Sequence, residues 1–224
     1  MTLAEMQESL AVVVQDKSLQ PFFKRMINEA ILETAADFDL PSLKLVTPAT
    51  LAVTTADWIY NLPANYHKRL FRCADSNYWT LNVHHRVEIL DDRDLDHDET
   101  GDHVTDVVAE DTGVLKKLYV YPKATETLYL WYFRKPLTLV NPGDTCDCIP
   151  PEFQERVLFP KIIIKNYELL QDQVENFDVK SLQYWQGKLR EGLYGSPQGP
   201  IGFINWIAKL RGGPKRHGGR DPIP

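Results

Sequence analysis

Residues 91–102 carry Asp91, Asp92, Asp94, Asp96, Asp98, Glu99 and Asp102, a density of carboxylates that suits a hard cation such as calcium. Asp94, Asp96 and Asp98 hold the one-three-five spacing of an EF-hand loop. The sixth position is Glu99 where that loop needs glycine, and the twelfth is Thr105 where it needs a bidentate glutamate. A solvated acidic loop is therefore the default reading, with calcium the sharper alternative. Cys146 and Cys148, with His84, His85, His97 and His103, supply zinc-ligand types, yet the Cys-x-Cys spacing lacks a matching second pair. No glycine-rich phosphate loop, nucleophile elbow or HExxH stretch occurs, and the carboxylates fall in no acid/base pattern. No catalytic residue, metal or cofactor is expected.

Residues 196–224 are glycine- and proline-rich and basic, with Lys209, Arg211, Lys215, Arg216 and Arg220. Phe203, Trp206, Ile207 and Leu210 can line one face of a short helix, and Ile204 is counted with them among the docking residues. Such a tail has too little apolar surface to fold alone. It reads as a disordered end, as an arm touching DNA or membrane, or as a docking arm. The last is preferred, because aromatic and aliphatic anchors bury in a groove while cations position them on an acidic surface. Five cations spread thinly give only modest attraction to phosphates.

The elements that would position these groups follow from periodicity. Thr2 and Glu5 have capping-box spacing, which predicts a helix from residue 3 to about 15. Ser18 is placed to cap a second helix over 19–36, with Phe22, Met26, Ile27, Ala30 and Leu32 on its apolar side. Between 46 and 108 the period becomes two, giving short strand candidates over 50–54, 58–60, 68–73, 78–83, 87–90 and 103–108, separated by turn residues. Residues 117–121 and 127–133 then read as a β-hairpin. The second arm is apolar on both faces, so it should be a central strand. After a Pro/Gly loop, Pro151 opens a long helix that is apolar on nearly every side, with Pro160 expected to kink it. Asp178 is placed to cap a last helix over 179–193, striped by Leu182, Trp185, Leu189 and Leu193 and stopped by Gly195.

The fold class expected is α+β: a helical frame of the N-terminal helices plus two C-terminal helices, an inserted antiparallel β-sandwich or partial barrel, and an extended C-terminal arm. The domains are helical over 1–45 and 150–195, β over 46–149, and arm over 196–224. A chain of 224 residues can bury a true core. No apolar run spans a bilayer, no signal-peptide plan is seen, and three cysteines make no secreted disulfide framework, so cytoplasmic synthesis is expected. A net charge of −6 speaks against a general nucleic-acid binder.

The segment YVYPKATETLYLWYFRKPLTLVNPGD, followed by IPPEF opening a helix, resembles the head-to-tail adaptor proteins of tailed bacteriophages. The matching features are Tyr121-Pro122, the aromatic strand through residues 130–136, and the helix start at 149–153; the likeness covers residues 20 to 195. The resemblance implies a virion protein without enzymatic activity, assembled in the host cytoplasm and placed in the neck. It implies a homo-oligomeric ring, typically of twelve copies, beneath the portal protein and joined to the tail or the next neck protein. The helical part would face the portal and channel, the β part would project outward, and the C-terminal arm would embrace the portal or a neighbour. DNA is then a partner only as the transiting genome, and no membrane is involved. Another neck or tail-completion protein is the nearest alternative, and a small metal-binding module using the acidic loop a more distant one.

Overall fold

The computed structural model describes residues 1–14, 17–84, 99–110, 116–170, 179–196 and 199–210. The chain divides into two compact units, Met1–Pro41 with Pro136–Pro224, and Ser42–Lys135. Helices fill the first and strands the second, so the class is α+β.

In the helical unit, α1 (Leu3–Val14) starts at a reciprocal cap: the Thr2 amide donates to Glu5 Oε2 at 2.8 Å, and the Glu5 amide to Thr2 Oγ1 at 3.3 Å. Its inward residues Leu3, Met6 and Leu10 repeat at helical spacing and are buried. The single helix expected over 19–36 is instead a 3-10 stretch, Lys17–Phe22, followed by α2 (Phe23–Asp37). Pro21 lies in that stretch and cannot donate a helical hydrogen bond. The face turned inward is Phe23, Ile27, Ala30 and Ile31; Phe22 and Leu32 are exposed.

Residues 136–149 belong to the helical unit, not to the strands, and hydrogen bonds show why. Asn28 on α2 donates from Nδ2 to the Leu139 carbonyl at 3.0 Å and accepts the Leu139 amide at Oδ1 at 2.8 Å. The Leu3 and Ala4 amides, left without helical acceptors at the start of α1, donate to the carbonyls of Asp144 (2.8 Å) and Pro142 (3.0 Å).

Helix α3 runs as Pro151–Phe153, a π-helical stretch Gln154–Leu158, and Phe159–Leu170. Pro160, where a kink is expected, stands just after this π-helical stretch. Pro160 has no N–H to give the Arg156 carbonyl, and the Phe159 amide bonds the carbonyl of Gln154, five residues back. On α4 (Val179–Tyr194) a buried glycine, Gly192, meets that place: a Cβ on it would stand 2.0 Å from the Arg156 carbonyl oxygen. Lys161 and Lys165 tie α3 to α2, with Lys161 Nζ 2.7 Å from Asp37 Oδ2 and Lys165 paired to Glu33 and Glu29.

In the β unit, seven strands among the described residues form two sheets. One has the order β1 (Ala49–Val53), β7 (Glu126–Arg134), β3 (Tyr66–Ala74); the other β2 (Ile59–Asn61), β6 (Lys117–Tyr121), β5 (Asp106–Glu110), β4 (Asn82–His84). Strand β7 is central, as its two apolar faces require. Its buried side carries Leu128, Leu130 and Tyr132. The other side is covered by Tyr78 stacked on Tyr129 at 4.6 Å and by the Arg72 guanidinium 4.5 Å from the Trp131 ring centre.

Three expectations are corrected here. β6 and β7 do not form a hairpin: after the cis bond Tyr121–Pro122 the chain leaves one sheet for the other. β4 pairs with β5 in parallel, so the second sheet is mixed instead of wholly antiparallel. The strand expected over 78–83 shrinks to Asn82–His84, because Asp75 folds residues 75–79 into a turn, accepting the amides of Asn77 (2.9 Å) and Trp79 (2.8 Å) at Oδ1. The strand placed at 87–90 and the acidic residues Asp91 to Asp98 lie outside the described residues. The core of the unit draws on both sheets: Leu70, Leu128, Leu130 and Tyr132 from one, Val107, Ala109, Leu118 and Val120 from the other.

Candidate docking site

The tail singled out above is helical at its apolar part, α5 (Phe203–Leu210). Gly195, at φ +81°, ends α4 in the left-handed region and bridges to Ile201, which folds the chain back on itself. Gly202 completes the fold-back, since a Cβ there would lie 2.2 Å from the Tyr194 carbonyl carbon and 2.3 Å from the Gly195 nitrogen.

This places Phe203 inside the helical unit, fully buried, with ring centres at 5.5 Å from Phe38, 5.1 Å from Phe153 and 5.7 Å from Trp206. Ile207, one turn on, is buried beside it. Burial of one such side chain is worth about 1.5–3 kcal/mol. Phe203 and Ile207 are thus anchors of the chain's own helix, and Trp206 closes the cluster as a half-buried lid 5.5 Å from Phe153. The outward residues are half-buried Ile204 and exposed Lys209 and Leu210. Arg211, Lys215, Arg216 and Arg220 lie outside the described residues. Of the docking residues read from sequence, the structure brings Phe203, Trp206 and Ile207 together, leaves Ile204 half-buried, and leaves Lys209 and Leu210 exposed. What the sequence did not reveal is the receiving side: Phe38 is distant in the chain and carries no motif, and Phe153 is marked only as part of a helix start.

The helical unit has a second concavity, a groove of about 450 Å³ between α2 and residues 136–138, lined by Lys24, Arg25, Asn28, Ile31, Leu32 and Leu137. Beside its apolar residues the lining holds Lys24, Arg25 and Glu29, with Arg25 Nε 3.4 Å from Glu29 Oε1.

The zinc-type set divides between the two units. His84 Nε2 lies 3.0 Å from Asp106 Oδ1. Burial alone would raise Asp106, but hydrogen bonds from His84, Thr105 and Asn82 hold its carboxyl below the usual range. Cys146 and Cys148 stand with their sulfurs 3.6 Å apart in the helical unit. His103 instead neighbours two carboxylates, Asp75 and Glu126, whose ligand atoms lie with its own within 4.8 Å of one another. His85 and His97 lie outside the described residues. No grouping here has the geometry of a nucleophile held by an oriented base.

Among the described residues no helix is long and apolar enough to cross a membrane. No curated protein matches the chain. The family model described as SU10 adaptor protein matches residues 1–199, which takes in α1 through α4 and the whole β unit and stops just before α5. With that span matched, the chain belongs to the SU10 adaptor protein family, a family of phage head-to-tail adaptors.

Proposed function

We propose that the protein is a structural component of the virion neck, forming a homo-oligomeric ring under the portal protein and joining it to the tail or the next neck protein. The observation that carries this reading is the family match over residues 1–199. Ring closure makes each weak contact count once per linked copy, so a modest interface per subunit suffices. A net charge of −6 suits a channel lining that repels phosphates and lets the genome pass without sticking.

The C-terminal segment docks on the portal or on a neighbouring subunit. Phe203, Trp206 and Ile207 seat α5 on its own unit, and the surface left outward, Ile204, Lys209 and Leu210 with Arg211, Lys215, Arg216 and Arg220 beyond, meets the partner. Support comes from the exposure of Lys209 and Leu210 at the end of α5 and from the run of cations after it, which would steer the arm to an acidic surface.

The test is mass determination by light scattering, for the protein alone and mixed with the portal of the same genome. Full-length protein should add to the portal as a ring of copies. A chain ending after Leu210 keeps the aromatic cluster intact and should bind the portal at least tenfold more weakly. Equal recruitment of both chains would sink the arm while leaving the adaptor reading in place. No recruitment of either would sink the adaptor reading itself.

A further inference from the structure

We infer that Asp75, His103 and Glu126 form a binding site for a divalent transition-metal ion of the zinc type, clasping the two sheets of the β unit. Asp75 follows β3 and Glu126 opens β7, both of one sheet, while His103 precedes β5 of the other. Three segments far apart in sequence are thus brought to one place by the sandwich.

The independent sign of a ligand is Glu126. Its side chain is only 4% exposed. Oε1 accepts the Val104 amide at 2.5 Å, but Oε2 is buried without a hydrogen-bond partner and faces His103 Nδ1 at 4.0 Å. Asp75 is itself buried, its Oδ1 taken by the Asn77 and Trp79 amides. Two carboxylates in so little water repel one another and lose hydration. A cation between them removes both penalties, and an orphaned carboxylate oxygen is the atom such a cation takes.

The donor set selects the metal. Two carboxylates would serve magnesium or calcium, but the imidazole favours zinc and its first-row relatives. Zinc bonds of about 2.0–2.2 Å put tetrahedral ligand atoms roughly 3.3–3.5 Å apart, so the 4.0 Å pair must close by about half an ångström and the other pairs, all within 4.8 Å, by up to about 1.5 Å. His103 is 60% exposed and free to make that movement. A cavity of about 480 Å³, lined among others by Asp75, Trp79, Asn82, His103 and Thr105, opens beside the cluster and has room for the water that completes the shell.

The experiment uses the full chain freed of metal by chelator and then titrated with Zn²⁺ or Co²⁺. One equivalent should bind, and Zn²⁺ at a hundredfold excess over its Kd should raise the melting temperature by roughly 5–10 °C. Glu126→Gln keeps the shape and the Val104 bond, and His103→Ala alters an exposed side chain. Each should weaken binding at least tenfold, and in chelator Glu126→Gln should melt no lower than wild type. His84→Ala should bind as wild type, and bound Co²⁺ should show no thiolate charge-transfer band. Absence of binding would overturn the site. So would undiminished binding in both variants, or a thiolate band lost in the Cys146→Ser/Cys148→Ser protein.

Discussion

Cys146 is drawn down to about 7 by the hydrogen bond of Cys148, helped by backbone amides, against the opposing effect of burial. Cys73 is pushed up to about 12, first by burial and then by the nearby charge of Glu126. The two thiols should separate cleanly in a labelling experiment. Iodoacetamide should modify Cys146 at a rate that climbs as pH rises through about 7, where its thiolate forms. Cys73 should stay unmodified at any pH that leaves the fold intact. Peptide mass spectrometry after timed quenching reads both, and early labelling of Cys73 would contradict the burial described. At this scale the sequence was legible where the partners are local. The Thr2–Glu5 cap needs only its own spacing. Asp75, His103 and Glu126 share no motif, because only the pairing of strands brings them together.

The packing of α4 on α3 depends on one missing methyl group. Alanine is about 1 kcal/mol better than glycine inside a helix, so on propensity alone Gly192→Ala should stabilise α4. The Arg156 carbonyl at 2.0 Å from the added Cβ reverses that sign, because backbone cannot turn aside as a side chain would. We expect a net loss of about 1–3 kcal/mol, seen as a lower urea midpoint with an unchanged slope. A variant as stable as wild type would show that α4 does not sit where Arg156 requires. Pro160 signals a disturbance of α3 in the sequence; that the disturbance is a π stretch matched by a glycine on another helix does not follow from local spacing. The same limit explains β6 and β7. Alternation marks β6, an apolar run on both faces marks β7, and a short link joins them, but β6 pairs with β5 and β2 instead. The stripe of Phe203 and Ile207 was likewise visible, while its acceptor, Phe38 and Phe153, belongs to tertiary structure.

For the molecule as a whole, each strand pairing within the two sheets and each member of the inter-sheet core, among the described residues, lies within residues 42–135. A fragment of those residues should therefore fold alone, with a β-type circular dichroism spectrum and one cooperative thermal transition. A fragment that stays unfolded would show that the β unit draws stability from outside itself. The family match states what class of part this is, while the two-unit division states how it is built. At this scale the α–β–α order along the chain was plain from the change of period.

The ends of the β unit lie close together. Lys44 bridges antiparallel to Phe133, and the Lys135 amide donates to the Asn65 carbonyl at 2.7 Å. The chain thus comes in and goes out through one doorway two strands wide. A chain exchanged for residues 42–135 would have to enter and leave at that doorway. The bonds holding α1, α2 and residues 136–149 are untouched by the exchange. The β unit is thereby tied off at its own threshold, with its first and last residues held by one another.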